Sequence, residues 1–169
     1  PVFTGPAAEA MQSWLDRVQK LRDRLEEMPA QKIPEFRLLT DDDWLAAAKH
    51  DLVTETDYRR ALAALRTSAV QALFGKIRPA LGHYAQANNG EFPTSPLDLR
   101  PYLDGPIDDE MLQRQEIIPA SEIPNMRFGG DWVLTQKAAV DELFDTRQVM
   151  GPTANGMLGD FVPLADLAA

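Results

Sequence analysis

The chain has 169 residues, of which 44% are hydrophobic, a proportion typical of a folded domain with its own core and not of a disordered protein. Its 26 acidic and 17 basic residues give a net charge of −9, which argues against nucleic acid or an anionic lipid surface as the main partner. The absence of cysteine excludes disulfides, thiolate metal sites and cysteine nucleophiles.

The first predicted element is an amphipathic helix over residues 7–28, whose apolar residues recur at intervals of three and four. This spacing is the narrow seam of a coiled coil. The seam consists of Met11, Trp14, Val18, Leu21, Leu25 and Met28. Arg17, Arg22 and Arg24 flank the seam, and their like charges favour an acidic counterpart over parallel self-pairing. A partner protein or the acidic remainder of this chain can supply that counterpart.

The segment 29–36 contains two prolines and predicts a stiff, extended linker. Such a linker suits a helix that projects from the body, and a projecting seam with a tryptophan marks an interaction site. We therefore predict that the helix binds a protein partner or a second copy of the chain, with Trp14 as the anchor. The alternative is an amphipathic helix that lies on its own domain, because sustained coiled coils have more heptads than this one. The predicted division is residues 1–36, the helix and linker, and residues 37–169, a single domain.

A long helix over residues 55–87 is predicted as the spine of that domain, because apolar residues recur along it at helical spacing. Gly75 and Pro79 predict a kink, since proline removes a helical hydrogen bond and crowds the carbonyl four residues earlier. Asn88 to Gly90 are residue types that tolerate left-handed backbone, and they predict the end of the helix.

Three hydroxyl residues are each followed three positions later by aspartate, which is the pattern of a helix-starting capping box. The pairs are Thr40 with Asp43, Thr54 with Asp57 and Ser95 with Asp98. Asp108 is expected to cap one further short helix, residues 109–117.

After Pro119 the helical period gives way to short segments bounded by turns, which predict strands at residues 131–138, 147–152 and 156–163. Asn155-Gly156 is a typical hairpin turn. The predicted fold class is therefore α+β and mostly helical, with a long kinked spine helix and a small antiparallel meander at the C-terminal end.

The end of the spine carries a tyrosine, then Asn-Gly, an aromatic residue and Pro-Thr. These residues are Tyr84, Asn89, Gly90, Phe92, Pro93 and Thr94. This order resembles the soluble part of pilins and type II secretion pseudopilins, and the segment is also similar to bacterial envelope proteins with an N-terminal anchor and coiled coil. The family's apolar N-terminal half-helix is absent from this chain. Pseudopilins often bind calcium in a late loop, whose pattern residues 141–145 do not reproduce.

No segment matches a catalytic, cofactor-binding or metal-binding motif. His50 and His83 each lack a second histidine at ligand spacing. The acidic segment 95–123 lacks the order of a calcium loop and is interpreted as a solvated face. Residues 128–132 are interpreted as a turn before a strand, and residues 151–156 lack the lysine of a phosphate loop. We expect no catalytic residue, cofactor or metal.

These observations favour a non-catalytic structural or interaction subunit of a bacterial envelope-associated assembly. One alternative is a cytoplasmic regulatory domain that docks through helix 7–28, and a weaker one is a hydrolase with an unrecognised site. No apolar run reaches the ~20 residues that span a bilayer, so no direct membrane contact is expected. Because the chain begins with Pro1, we expect a preceding segment, which is where an anchor would lie.

Overall fold

The computed structural model describes residues 5–153 and 156–163. Its four α-helices are α1 (Pro6–Glu27), α2 (Asp41–Ala47), α3 (Glu55–Ala87) and α4 (Asp109–Gln113). Its four strands are β1 (Gln115–Pro119), β2 (Trp132–Gln136), β3 (Thr146–Thr153) and β4 (Gly156–Pro163). The strands form one antiparallel sheet in the order β1-β2-β3-β4. This arrangement confirms the predicted α+β class with a long helix and a C-terminal sheet.

Contacts between residues divide the chain into two units, Pro1–Ala69 and Val70–Ala169. The division thus falls inside α3 and not at residue 36, and α1 packs with α2 and with the beginning of α3. The segment expected to be an extended linker instead forms two short 3-10 turns, Pro29–Gln31 and Pro34–Leu38. Each proline stands at the first position of its turn, where a missing N–H group costs nothing.

The core of the first unit draws side chains from three helices. Leu21 and Leu25 come from α1, and Trp44 comes from α2. Leu52 lies just before α3, and the first half of α3 supplies Ala61, Leu62 and Leu65. A seven-residue helix such as α2 is too short to be stable in isolation, so its stability depends on this packing.

All three predicted capping boxes are confirmed. The Asp43 and Asp57 amides lie 3.3 Å and 3.2 Å from the hydroxyl oxygens of Thr40 and Thr54, to which they donate. In return, the Thr40 and Thr54 amides each donate to the aspartate carboxylate at 2.8 Å. Ser95 and Asp98 form the same reciprocal pair, but the helix that follows is the 3-10 helix Pro96–Tyr102.

Helix α3 is one continuous α-helical segment, and Pro79 lies within it on an exposed position. Solvent can then hydrate the carbonyl that proline leaves without its helical donor. The kink at Gly75 and Pro79 stays a prediction.

The corner after α3 is built from left-handed backbone, as predicted. Asn89 has a φ of 57° and Gly90 a φ of 81°. The Gly90 amide donates to the carbonyl of Ala85 at 2.7 Å, and the Asn88 side chain donates to the carbonyl of Tyr84 at 2.8 Å. Backbone and side-chain donors thus satisfy carbonyls that a helix end would otherwise leave without partners.

The predicted helix over residues 109–117 is wrong in its second half. Helix α4 ends at Gln113, and β1 takes up the residues that follow. Ile117 and Ile118 are β-branched, and they pair in register with Leu134 and Val133 of β2. Asp108 stands at the start of α4, but its side chain makes no capping hydrogen bond.

The three strands predicted after residue 128 are confirmed, and they pair as a meander. Thr153 pairs with Gly156, so a two-residue connection joins β3 to β4. Gly156 therefore begins β4, and the other residue of the predicted turn, Asn155, lies outside the described residues.

Replacing Gly90 with alanine should destabilise the protein by about 1 kcal/mol, because only glycine adopts this positive φ without cost. A Cβ atom there would meet nothing within 4 Å, so the effect would come from the backbone alone. Gly75→Ala is the matched control, since Gly75 is an exposed helical residue with equally open surroundings. It should stabilise by about 0.5–1 kcal/mol. Urea unfolding measures the change in stability of each variant. If both variants were destabilised or both stabilised, the left-handed backbone at Gly90 would not be what requires glycine there.

The cap at Asp57 should make stability depend on pH. The Thr54 and Val53 amides donate to its carboxylate and lower the Asp57 pKa below the ordinary value of 3.8. A lowered folded-state pKa gives stability that is complete above the unfolded-state pKa and lost as pH falls through the folded-state value. Asp57→Asn should therefore melt at a lower temperature than the native protein at neutral pH. The difference should begin to shrink below about pH 4 and disappear once the pH is below the folded-state pKa of Asp57. A difference that stayed constant down to that acid range would contradict the cap.

Candidate functional site

The two most deeply buried residues of the predicted interaction seam lie in the core of the first unit. Leu21 is 0% exposed and Leu25 is 4% exposed, and Val18 packs at the edge of the same cluster. The prediction that α1 projects and offers this part of the seam to a partner is therefore wrong. The segment after α1 turns instead of extending, so the seam packs on its own unit.

Trp14 and Arg17 bind the end of α2. The Trp14 indole N–H donates to the carbonyl of Leu45 at 2.7 Å, and the Arg17 Nε–H donates to the carbonyl of Ala48 at 2.8 Å. A second Arg17 nitrogen reaches the carbonyl of Lys49 at 3.4 Å. A cation at this position complements the negative end of the helix dipole. The predicted anchor residue is thus used inside its own unit.

Arg22 and Arg24 each lie over an aromatic ring. The Arg22 guanidinium lies 4.2 Å from the Trp44 ring centroid, and that of Arg24 lies 4.4 Å from the Tyr58 ring centroid. Each arginine also faces a carboxylate: Asp41 lies 3.9 Å from Arg22 and Glu55 lies 2.7 Å from Arg24. The acidic counterpart predicted for these arginines is therefore supplied by the same chain.

The N-terminal half of α1 is the part that reaches solvent. Met11 is 51% exposed and its neighbour Leu15 is 48% exposed. Single exposed apolar side chains of this kind are common on protein surfaces and do not by themselves mark a site.

A cavity of about 460 Å³ opens in the second unit, where the chain leaves α3. It is lined by Ala85 and residues 90–92 of the corner, by residues 129–132 before and at the start of β2, and by Pro152 of β3. We call this cavity the corner pocket. It brings together three segments that the sequence marks only as turns or as a rejected phosphate loop.

Close glycine contacts hold the wall of the corner pocket in place. The Gly129 amide donates to the carbonyl of Pro152 at 2.6 Å. A Cβ atom on Gly130 would lie 2.7 Å from Cγ of Pro152, and one on Gly151 would lie 2.6 Å from a ring carbon of Phe128. Larger residues at these two glycines would push the loop away from β3, so the pocket wall requires glycine here.

The side chains of the corner pocket are aromatic and acidic. Trp132 is 48% exposed, Phe92 is partly exposed, and Glu91 and Asp131 are both exposed. Among the described residues, none that lines the pocket is basic, and no hydrogen bond or ion pair occupies either carboxylate. Sequence reasoning missed this site because its two halves lie about forty residues apart. The available signal was an acid followed by an aromatic residue, at Glu91-Phe92 and again at Asp131-Trp132.

A second polar cluster lies inside the sheet. Gln115, Gln136 and Gln148 are 1%, 7% and 5% exposed, on three adjacent strands. The backbone N–H of Gln148 donates to the side-chain oxygen of Gln136 at 2.9 Å. The Arg147 guanidinium donates to the backbone carbonyl of Gln136 and lies 3.2 Å from the Glu116 carboxylate. The two bonds to Gln136 join β3 to its neighbour β2, and the ion pair reaches across β2 to β1, so this cluster specifies the register of the three strands.

The remaining candidate groups have structural partners or lie apart. Over residues 5–153 and 156–163, no three histidine or acidic side chains come together as a metal site, and no helix has the length and apolar character needed to cross a bilayer. His50 and His83 are both exposed. Asp141 and Asp145, in the late acidic cluster, accept hydrogen bonds from nearby backbone amides of their own loop.

Comparisons with known proteins identify no relative: no protein-family model, no curated protein and no solved structure matches this chain. The resemblance of residues 84–94 to pilins and pseudopilins therefore stays a prediction.

Replacing Leu21 with alanine should destabilise the protein by about 2–5 kcal/mol, because it leaves a cavity in the core of the first unit. Leu15→Ala is the matched control on the same helix, and a half-exposed leucine should cost about 0.5 kcal/mol or less. Thermal or urea unfolding of the two variants measures the difference. If both variants lost the same small amount of stability, Leu21 would not be a core residue, and the prediction of a projecting helix would stand again.

Proposed function

We propose that this protein is a non-catalytic interaction subunit of a bacterial envelope-associated assembly, and that it binds its partner at the corner pocket. The observation that carries the proposal is Trp132, a large aromatic side chain left half-exposed at a cavity of about 460 Å³. Tryptophan is strongly enriched among the residues that supply most of the binding energy at interfaces.

The chemistry of the pocket supports binding over catalysis. The described lining residues offer carboxylates, aromatic rings and backbone groups, but no serine, histidine or lysine to act as a nucleophile or its base. Gly90 and Phe92, which belong to the pilin-like segment, also line the pocket. That overlap is our reason for placing the partner in an envelope assembly.

Docking through α1 is the alternative that the exposure of Met11 and Leu15 favours. Its available surface is smaller than the sequence predicts, since Leu21 and Leu25 are in the core. The two surfaces lie on different units of the chain, so separate variants can test them.

In extracts of its native cells, the full-length protein should sediment within a complex larger than itself. Trp132→Ala should release it from that complex, because the variant removes most of the exposed aromatic surface of the pocket. The control Leu143→Ala removes an equally apolar side chain that is 71% exposed and lies outside the pocket, and it should stay in the complex. Melting temperatures establish that both variants are folded.

A native protein that sediments alone would overturn the proposed function, as would a Trp132→Ala variant that stays in the complex. If a Met11→Ala, Leu15→Ala double variant is released and Trp132→Ala is not, docking occurs through α1 and not at the pocket.

A further inference from the structure

We propose that the corner pocket receives a basic side chain of the partner, arginine in preference to lysine. This inference rests on the proposed function, because it names the chemical group that the partner inserts. The partner segment is accordingly basic, which is complementary to the net charge of −9 on this chain.

The chain itself shows how it holds an arginine. Arg24 lies over the ring of Tyr58 while Glu55 accepts its hydrogen bond at 2.7 Å. Arg22 lies over the ring of Trp44 and faces Asp41. In both cases, the guanidinium lies over one aromatic face and beside one carboxylate.

The corner pocket repeats this pairing of ring and carboxylate twice. Glu91 precedes Phe92 and Asp131 precedes Trp132, and all four residues line the same cavity. No described basic residue lines the cavity with them, and within the described part of the chain neither carboxylate is engaged. The pocket lining thus contains both kinds of group that surround Arg22 and Arg24, and no described arginine lies among them.

Arginine fits these groups better than lysine for two reasons. The planar guanidinium stacks on aromatic faces, and its several N–H donors can serve two carboxylates at once. An ammonium group is more strongly hydrated and would lose more on leaving water for an aromatic wall. The cavity volume also exceeds what one side chain needs, which leaves room for the partner backbone beside Pro152.

Fixed walls increase the affinity that such contacts produce. The Gly129 to Pro152 hydrogen bond and the close approach of Gly130 to Pro152 place the loop before Trp132 without a partner present. Little ordering is then required when the side chain enters.

The test is a nuclear magnetic resonance titration of the whole protein with butylguanidinium and with butylurea, its uncharged analogue of nearly the same shape. Butylguanidinium should shift the Trp132 indole signal and the Gly129 and Gly130 amides in a saturable manner. Its affinity should exceed that of butylurea by about fivefold or more and fall as salt is added. Butylammonium should bind between the two. The indole signals of Trp14 and Trp44 serve as internal controls and should not move.

Three variants identify the groups responsible, and a fourth is a control. Asp131→Asn and Glu91→Gln keep the side-chain shape and should each weaken butylguanidinium binding by about threefold or more. Trp132→Leu keeps an apolar side chain without an aromatic face and should abolish saturable binding. Asp104→Asn, an exposed aspartate outside the pocket, should change nothing.

Equal binding of butylurea, or full binding by Trp132→Leu, would overturn the inference. If no cation binds but Trp132→Ala still releases the protein from its complex, the ligand class is wrong and the proposed function stands. If the cation binds and the native protein sediments alone, the chemistry of the pocket stands and the proposed function is wrong.

Discussion

The left-handed backbone at Asn89 and Gly90 is the constraint on which the candidate site depends. It ends α3 and turns the chain within two residues, so that Glu91 and Phe92 reach the loop before β2. A helix that continued for one more turn would carry these two side chains about 5 Å further along its axis. The hydrogen bonds that Asn88 and Gly90 donate to carbonyls of the last turn of α3 keep the corner in this one conformation.

Charge in the first unit is used to pack one helix on its neighbours. Arg17, Arg22 and Arg24 lie within about two turns of α1, and each contacts either carbonyls at the end of α2 or a ring with a carboxylate. Ion pairs this exposed contribute little alone. Arg22 also covers the ring of Trp44, a core residue, and Arg24 covers the ring of Tyr58, which packs against the core, so these two side chains contribute packing as well as charge.

What could be predicted from sequence was local. The capping boxes at Thr40, Thr54 and Ser95 and the corner at Gly90 are fixed by residues a few positions apart, and the structure has them where they were expected. The strand at Ile117 and Ile118 was missed because its partner, β2, follows only after a long loop. The burial of Leu21 and the assembly of the corner pocket depend on contacts that sequence spacing does not contain. Two prolines suggest a rigid linker, but Ile33 and Glu35, on either side of Pro34, are buried and turn the segment inward.

The packing of α1 has a consequence for the newly made chain on the ribosome. Leu21 and Leu25 are covered by residues up to Leu65, which is synthesised 40 residues after Leu25. At translation rates of about 5–20 residues per second, the apolar side of α1 stays uncovered for roughly 2–8 seconds. Asp41, Asp51 and Glu55, which pair with the three arginines beside it, are themselves made only 16 to 30 residues after Leu25. Until then, the nascent helix is an uncovered amphipathic segment, a form that attracts chaperones, and it loses this character once the first half of α3 has been made.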